Sequence, residues 1–153
     1  MVAVGDQAPD FTMKTDGDGE VSLSGLKGKT VVLYFYPKDD TPGCTKEACG
    51  FRDSLPDFSA LHAEIIGVSK DSVAKHDKFK AKYELPFKLA SDDDGSVCEA
   101  YGTWVEKSMY GKKYMGIDRA TFLIDGDGLV RSVWRKVKVP GHVEAVLKAA
   151  QDL

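Results

Sequence analysis

Seven consecutive residues, Thr30–Tyr36 (TVVLYFY), are β-branched, aliphatic or aromatic, and none carries a charge. Such a run has no face suited to water, which predicts a strand buried on both sides of a sheet. A helix start follows at Thr41-Pro42, with Thr41 as N-cap and Pro42 at the first helical position. Apolar residues then fall at Cys44, Ala48, Phe51, Leu55 and Phe58, in steps of four, three, four and three. That spacing predicts one helical stripe facing the core, and Pro56 is predicted to kink or break the helix.

Glu64–Ser69 (EIIGVS) predicts a second strand, and Asp71 or Ser72 caps a helix running to about Tyr83. Ala120–Asp125 and Leu129–Val137 predict two more strands, joined by the turn signal Asp125-Gly126-Asp127-Gly128. A last amphipathic helix carries Val143, Val146, Leu147 and Ala150 on one face. From residue 30 the order is strand, helix, strand, helix, strand, strand, helix. A βαβ unit joined to a ββα unit is the thioredoxin-like α/β order, with a central mixed sheet flanked by helices. Two additions are expected. One is an N-terminal hairpin, Asp10–Leu23, turning at Asp16-Gly17-Asp18-Gly19; the other is an insertion, Glu84–Arg119, before the third core strand, whose inner structure the pattern does not define.

The chain of 153 residues suits a single domain, 1–153. A net charge of −3 without a long basic run argues against nucleic acid as a partner. Arg135–Lys138, where charged and apolar residues alternate, is expected to be the exposed face of a strand. Met1–Phe11 lacks a basic start followed by an apolar run, so no secretory signal is expected. No stretch approaches the roughly 18 apolar residues that span a bilayer. The expected location is the cytoplasm.

Three cysteines are present, Cys44, Cys49 and Cys98. An odd number makes a poor disulfide framework, which leaves catalysis, metal binding or core packing. With Thr41 as cap, Cys44 is the third helical residue. The N–H groups there lack intrahelical partners and the helix dipole is positive, both of which favour thiolate, the nucleophilic form. Cys49 lies five residues on. In an ideal helix the two Cα atoms are roughly 8.7 Å apart, beyond the roughly 7 Å limit for a disulfide. A disulfide between them therefore requires the first turns to unwind. Gly43 and Gly50, each costing a helix about 1 kcal/mol relative to Ala, make unwinding easier.

The segment Pro37-Lys38-Asp39-Asp40-Thr41-Pro42-Gly43-Cys44 resembles the peroxiredoxin pattern Pro-x-x-x-Thr-x-x-Cys. The longer run Tyr34–Cys49 is similar to the Q subfamily, also called bacterioferritin comigratory protein. The resemblance extends through Gly5–Phe11, Ile66–Ser69, Arg119–Asp125 and Trp134–Val137. It implies a thiol-dependent peroxidase acting on hydrogen peroxide and organic hydroperoxides. Cys44 would be the peroxidatic cysteine and Thr41 the hydroxyl contacting thiolate and peroxide. Pro37 would shield the pocket, and Arg119 would stabilise the thiolate and polarise the O–O bond. Cys49 matches the resolving cysteine of members that carry it in the same helix, with thioredoxin or a glutaredoxin as reductant. The resemblance also implies a monomer needing no haem, flavin or metal. Cys98 is expected to be a buried structural thiol.

Other readings of the residues compete. A thioredoxin-type oxidoreductase wants Cys-x-x-Cys, whereas four residues separate Cys44 from Cys49, and no proline stands at Arg119-Ala120. A copper-binding module on the same fold would join the two cysteines to His62, His76 or His142; His62 and His76 are expected on helix surfaces, and His142 at a helix start. Zinc lacks a four-ligand set. Asp92-Asp93-Asp94-Gly95 does not follow the spacing of a calcium loop and is expected to be a solvated turn.

Overall fold

The computed structural model describes residues 1–153. The N-terminal hairpin pairs β1 (Thr12–Thr15) with β2 (Gly19–Ser22). There follow β3 (Thr30–Phe35), α1 (Pro42–Ala60), β4 (Ala63–Ser69), α2 (Val73–Tyr83) and β5 (Lys88–Ser91). Next come α3 (Ser96–Ala100), β6 (Trp104–Met109), β7 (Lys112–Ile117), β8 (Ala120–Ile124), β9 (Val130–Trp134) and α4 (His142–Gln151). Seven strands form one mixed sheet in the order β2-β1-β5-β4-β3-β8-β9, and β6 and β7 pair separately. β3, β4 and β5 run parallel; the other pairings are antiparallel.

The central strand behaves as its composition requires. Val31, Leu33 and Phe35 face a cluster containing Phe11, Tyr101 and Phe122. Val32 and Tyr34 face the opposite cluster, built with Phe51 and Phe58 of α1, Phe79 of α2 and Val146 of α4. The three long helices thus cover one face. The other is closed by short α3 and N-terminal residues, not by a second helical layer.

Four expectations need correction. The insertion holds a core strand, β5, parallel to β4, so α2 is the crossover of a complete βαβ unit. Its four residues, KLAS, are too few to carry a strand period. Helix α1 continues past Pro56 to Ala60. Pro56 is exposed, so its ring and its missing N–H lie on the outer side of the helix rather than in the core. Strand β9 ends at Trp134, so Arg135–Lys138 is not a strand face. Arg135 instead binds the carbonyls of Val2, Tyr101 and Gly102, tying the N-terminus and insertion to the chain after β9. Of the acidic run, Asp93 and Asp94 form the expected exposed turn, but Asp92 is buried and accepts from the N–H groups of Val97 and Cys98 in the first turn of α3.

Candidate active site

Pairing of β3 with β8 sets the site. Phe35 opposes Ala120, so the chain leaving β3 lies beside Arg119, the residue entering β8. The loop after β3 turns through Asp40, whose φ is +58°, and delivers Thr41 as N-cap of α1 with Pro42 behind it. Cys44 then sits in the first turn of α1, 1% exposed.

The Thr41 side chain does not cap the helix, as was expected of it. Its hydroxyl donates to the Lys38 carbonyl at 2.8 Å, closing the loop on itself. The N–H groups of Gly43 and Cys44 therefore donate to nothing within the protein. The guanidinium of Arg119 faces them. Nη2 donates to Cys44 Sγ at 3.3 Å and Nη1 to Glu47 Oε1 at 2.7 Å. Gly43 leaves room for the approach: a Cβ there would stand 3.2 Å from Nη2, close enough to push the guanidinium by a few tenths of an ångström.

Glu47 is 0% exposed and was not singled out as a site residue from sequence. Its spacing of three from Cys44 and four from Phe51 places it on the buried stripe, which was the available signal. Burial pushes its carboxyl up to about 7, against a downward pull from Arg119. Oε2 has no hydrogen-bond partner in the protein, and His142 Nε2 stands 3.9 Å from it. His142 is buried at the start of α4 and shares a hydrogen with Thr121 Oγ1 at 2.8 Å. Burial, and then the Arg119 charge, pull its imidazole down to about 4. The Tyr34 hydroxyl, also buried and unpartnered, is pushed well up by burial and by Glu47. One guanidinium thus serves a sulfur and a carboxylate inside an apolar shell.

The model of the AhpC/TSA family matches residues 4–133. The chain belongs to the AhpC/TSA family. Among curated relatives, the putative peroxiredoxin bcp of Coxiella burnetii is 58% identical over 146 residues, 95% of this chain and 97% of the relative. Peroxiredoxin Bcp of Bacillus subtilis is 53% identical over 152 residues, covering 99% of this chain and 97% of its own. Among solved structures, a cysteine-to-serine mutant of Xylella fastidiosa PrxQ superposes with a TM-score of 0.95 at 40% identity. That match covers 99% of this chain and 97% of the other. This AhpC/TSA member is a thiol peroxidase, an oxidoreductase that takes a peroxide as oxidant and a thiol as reductant, on a thioredoxin-type fold.

Of the residues expected to form the peroxiredoxin site, Cys44 and Arg119 are in direct contact, and Thr41 heads the same helix. Pro37 opens the loop and is exposed. Cys49 is half-buried and unpaired on the same intact helix as Cys44. Cys98 is 0% exposed, its thiol pushed up by burial and by Asp92. His62 is exposed just after α1, as expected of a surface residue. His76 is not on a surface. It is 0% exposed, because Asp39 and the Ala90 carbonyl take both ring nitrogens. No three His, Cys, Asp or Glu side chains converge as a metal-binding group. No helix is long and apolar enough to cross a membrane.

Proposed function

We propose that Cys44, as thiolate, attacks the distal oxygen of hydrogen peroxide or an organic hydroperoxide. An S–O bond forms as the O–O bond breaks, and the leaving oxygen departs as water or alcohol after taking up a proton. Negative charge moves from sulfur to that oxygen in the transition state. Arg119 and the free N–H groups of Gly43 and Cys44 are donors suited to both ends of that movement. The Thr41 hydroxyl, held by Lys38, orients the peroxide, and Pro37 limits water at the rim.

The Cys44 sulfenic acid then condenses with the Cys49 thiol, forming the disulfide and releasing one water. Since both lie in an unbroken helix, the first turns of α1 unwind for this step. Thioredoxin or a glutaredoxin restores both thiols by exchange. The protein acts as a monomer in the cytoplasm, where a disulfide is a transient intermediate, not a structural bond.

The observation that carries the reading is the 3.3 Å contact from Arg119 to Cys44 at the open end of a helix. Non-reducing peptide mapping after one equivalent of hydrogen peroxide tests it. A Cys44–Cys49 linkage is expected in the wild type, with no turnover in Cys44→Ser. Cys49→Ser should consume one equivalent and stall. A Cys44–Cys98 linkage would transfer the resolving role to Cys98, and three unmodified thiols would refute the mechanism.

A further inference from the structure

The loop between β3 and α1 is fastened at two points to a helix that takes no part in the chemistry. The inner fastening is buried. Asp39 Oδ2 lies 2.6 Å from His76 Nδ1, with side chains 6% and 0% exposed. The Tyr36 hydroxyl donates to Asp39 Oδ1 at 2.5 Å, and the Asp39 N–H donates to Asp71 Oδ2 at 2.8 Å. His76 Nε2 faces the Ala90 carbonyl at 3.0 Å. A carbonyl only accepts, so Nε2 is the donor of that contact. Ser69, which donates to Asp71, completes the polar surroundings. The outer fastening is Asp40, bound at the surface by Lys82 Nζ at 2.8 Å and the Tyr83 hydroxyl at 2.7 Å.

The other end of the first turns is fastened as firmly. Phe51 is 0% exposed and stacks on Tyr34 at 4.8 Å. Arg52 donates to the Tyr83 carbonyl at 2.8 Å. Residues 41–50 lie between these two anchors.

We propose that the Asp39–His76 pair is a positioning device, the fixed upstream end of the segment that unwinds. It holds Thr41 and the first turn of α1 against Arg119 for the peroxide step. It then confines unwinding to residues 41–50 when Cys44 and Cys49 join. This inference rests on the Cys49 resolution proposed above. It predicts that loosening the pair favours the unwound form. Attack on peroxide slows, disulfide closure speeds up, and less Cys44 is lost to a second peroxide, which converts sulfenic to sulfinic acid with release of water or alcohol.

The test compares Asp39→Asn, His76→Gln and the double variant with Val130→Ala, a core deletion on the far face. Sulfenic acid formation, disulfide closure and the sulfinic fraction at rising hydrogen peroxide are measured by quenched flow and mass spectrometry. Each pair variant should slow the first step by roughly ten- to a hundredfold, accelerate the second and lower the sulfinic fraction. The double variant should match the singles, as expected of groups acting as one unit. Val130→Ala should lower stability without moving the ratio of closure to over-oxidation. Hydrogen exchange on the disulfide form should leave the Asp39 amide protected while those of Thr45–Cys49 lose protection. Pair variants that behave like Val130→Ala would overturn the proposal, as would an Asp39 amide that exchanges with Thr45. Absence of a Cys44–Cys49 disulfide in the wild type would overturn the underlying cycle instead, before any variant is made.

Discussion

Glu47→Gln isolates one charge in a site that otherwise keeps its shape. The glutamine carbonyl can still accept from Arg119 Nη1, so the guanidinium keeps its place beside Cys44. What disappears is an anion. The contacts of 2.7 Å and 3.3 Å to the two nitrogens of one guanidinium keep carboxylate and sulfur within about 8 Å of each other. At an effective dielectric of about 20, two like charges at about 8 Å repel by about 2 kcal/mol, or about 1.5 pH units. The Glu47 carboxyl titrates at about 7, so in the wild type this repulsion switches on as pH rises through neutrality. The assay is the second-order rate of sulfenic acid formation against pH, from 5 to 9. The Gln variant should reach its plateau about 1 to 1.5 units lower, and the step near pH 7 should vanish. An unchanged midpoint would show that the carboxylate and sulfur do not interact. Loss of rate at every pH would show that Glu47 is needed as an anion to hold Arg119.

Three other expectations follow from the packing. Gly43→Ala should gain helix stability, by about 1 kcal/mol, yet react roughly tenfold more slowly with peroxide, because the new methyl displaces Arg119; stopped flow and urea melts separate the two. Pro56→Ala restores the missing helix donor at an exposed position and should stabilise by about 1–2 kcal/mol in denaturant unfolding. His142→Asn should expose a pH slope that the wild type hides. His142 titrates at about 4 rather than 6.5, so its contribution is present above 6.5 and lost as pH falls toward 4. Glu47 titrates at about 7 rather than 4.5, so its contribution is present below 4.5 and lost as pH rises through 7. These slopes oppose each other between 4.5 and 6.5. With His142 removed, urea midpoints should fall steadily from pH 4.5 to 7.

The parts of this molecule that repeat a periodic pattern could be read in advance. Thr30–Tyr36 announces a doubly buried strand, and the steps from Cys44 to Phe58 announce α1. Local chemistry was readable too: Ser72 caps α2 through Lys75 N–H, and the Asp-Gly turn joins β8 to β9. What escaped depends on partners far along the chain. β5 is recognisable only by its pairing with β4. Glu47 and His142 look like ordinary polar residues on helices until Arg119 and Thr121 arrive beside them. His76 looked like a surface residue because a single helix cannot show that Asp39, 37 residues upstream, will cover it. Thr41 was placed correctly as cap, but its hydroxyl went to Lys38, a choice made by the loop rather than by the helix.

Arg119 reaches Cys44 from 75 residues downstream, across the β3–β8 register. During synthesis at roughly 5–20 residues per second, several seconds therefore separate the appearance of the cysteine from that of its arginine. Throughout that interval the nascent chain carries Cys44 without its guanidinium, and the contact forms only once a central antiparallel pair has closed in register. A slip of one residue would send β8's side chains to the wrong faces and carry Arg119 away from the sulfur. Under the role proposed for Arg119, an unfinished or misassembled chain would therefore carry its cysteine without the group that activates it.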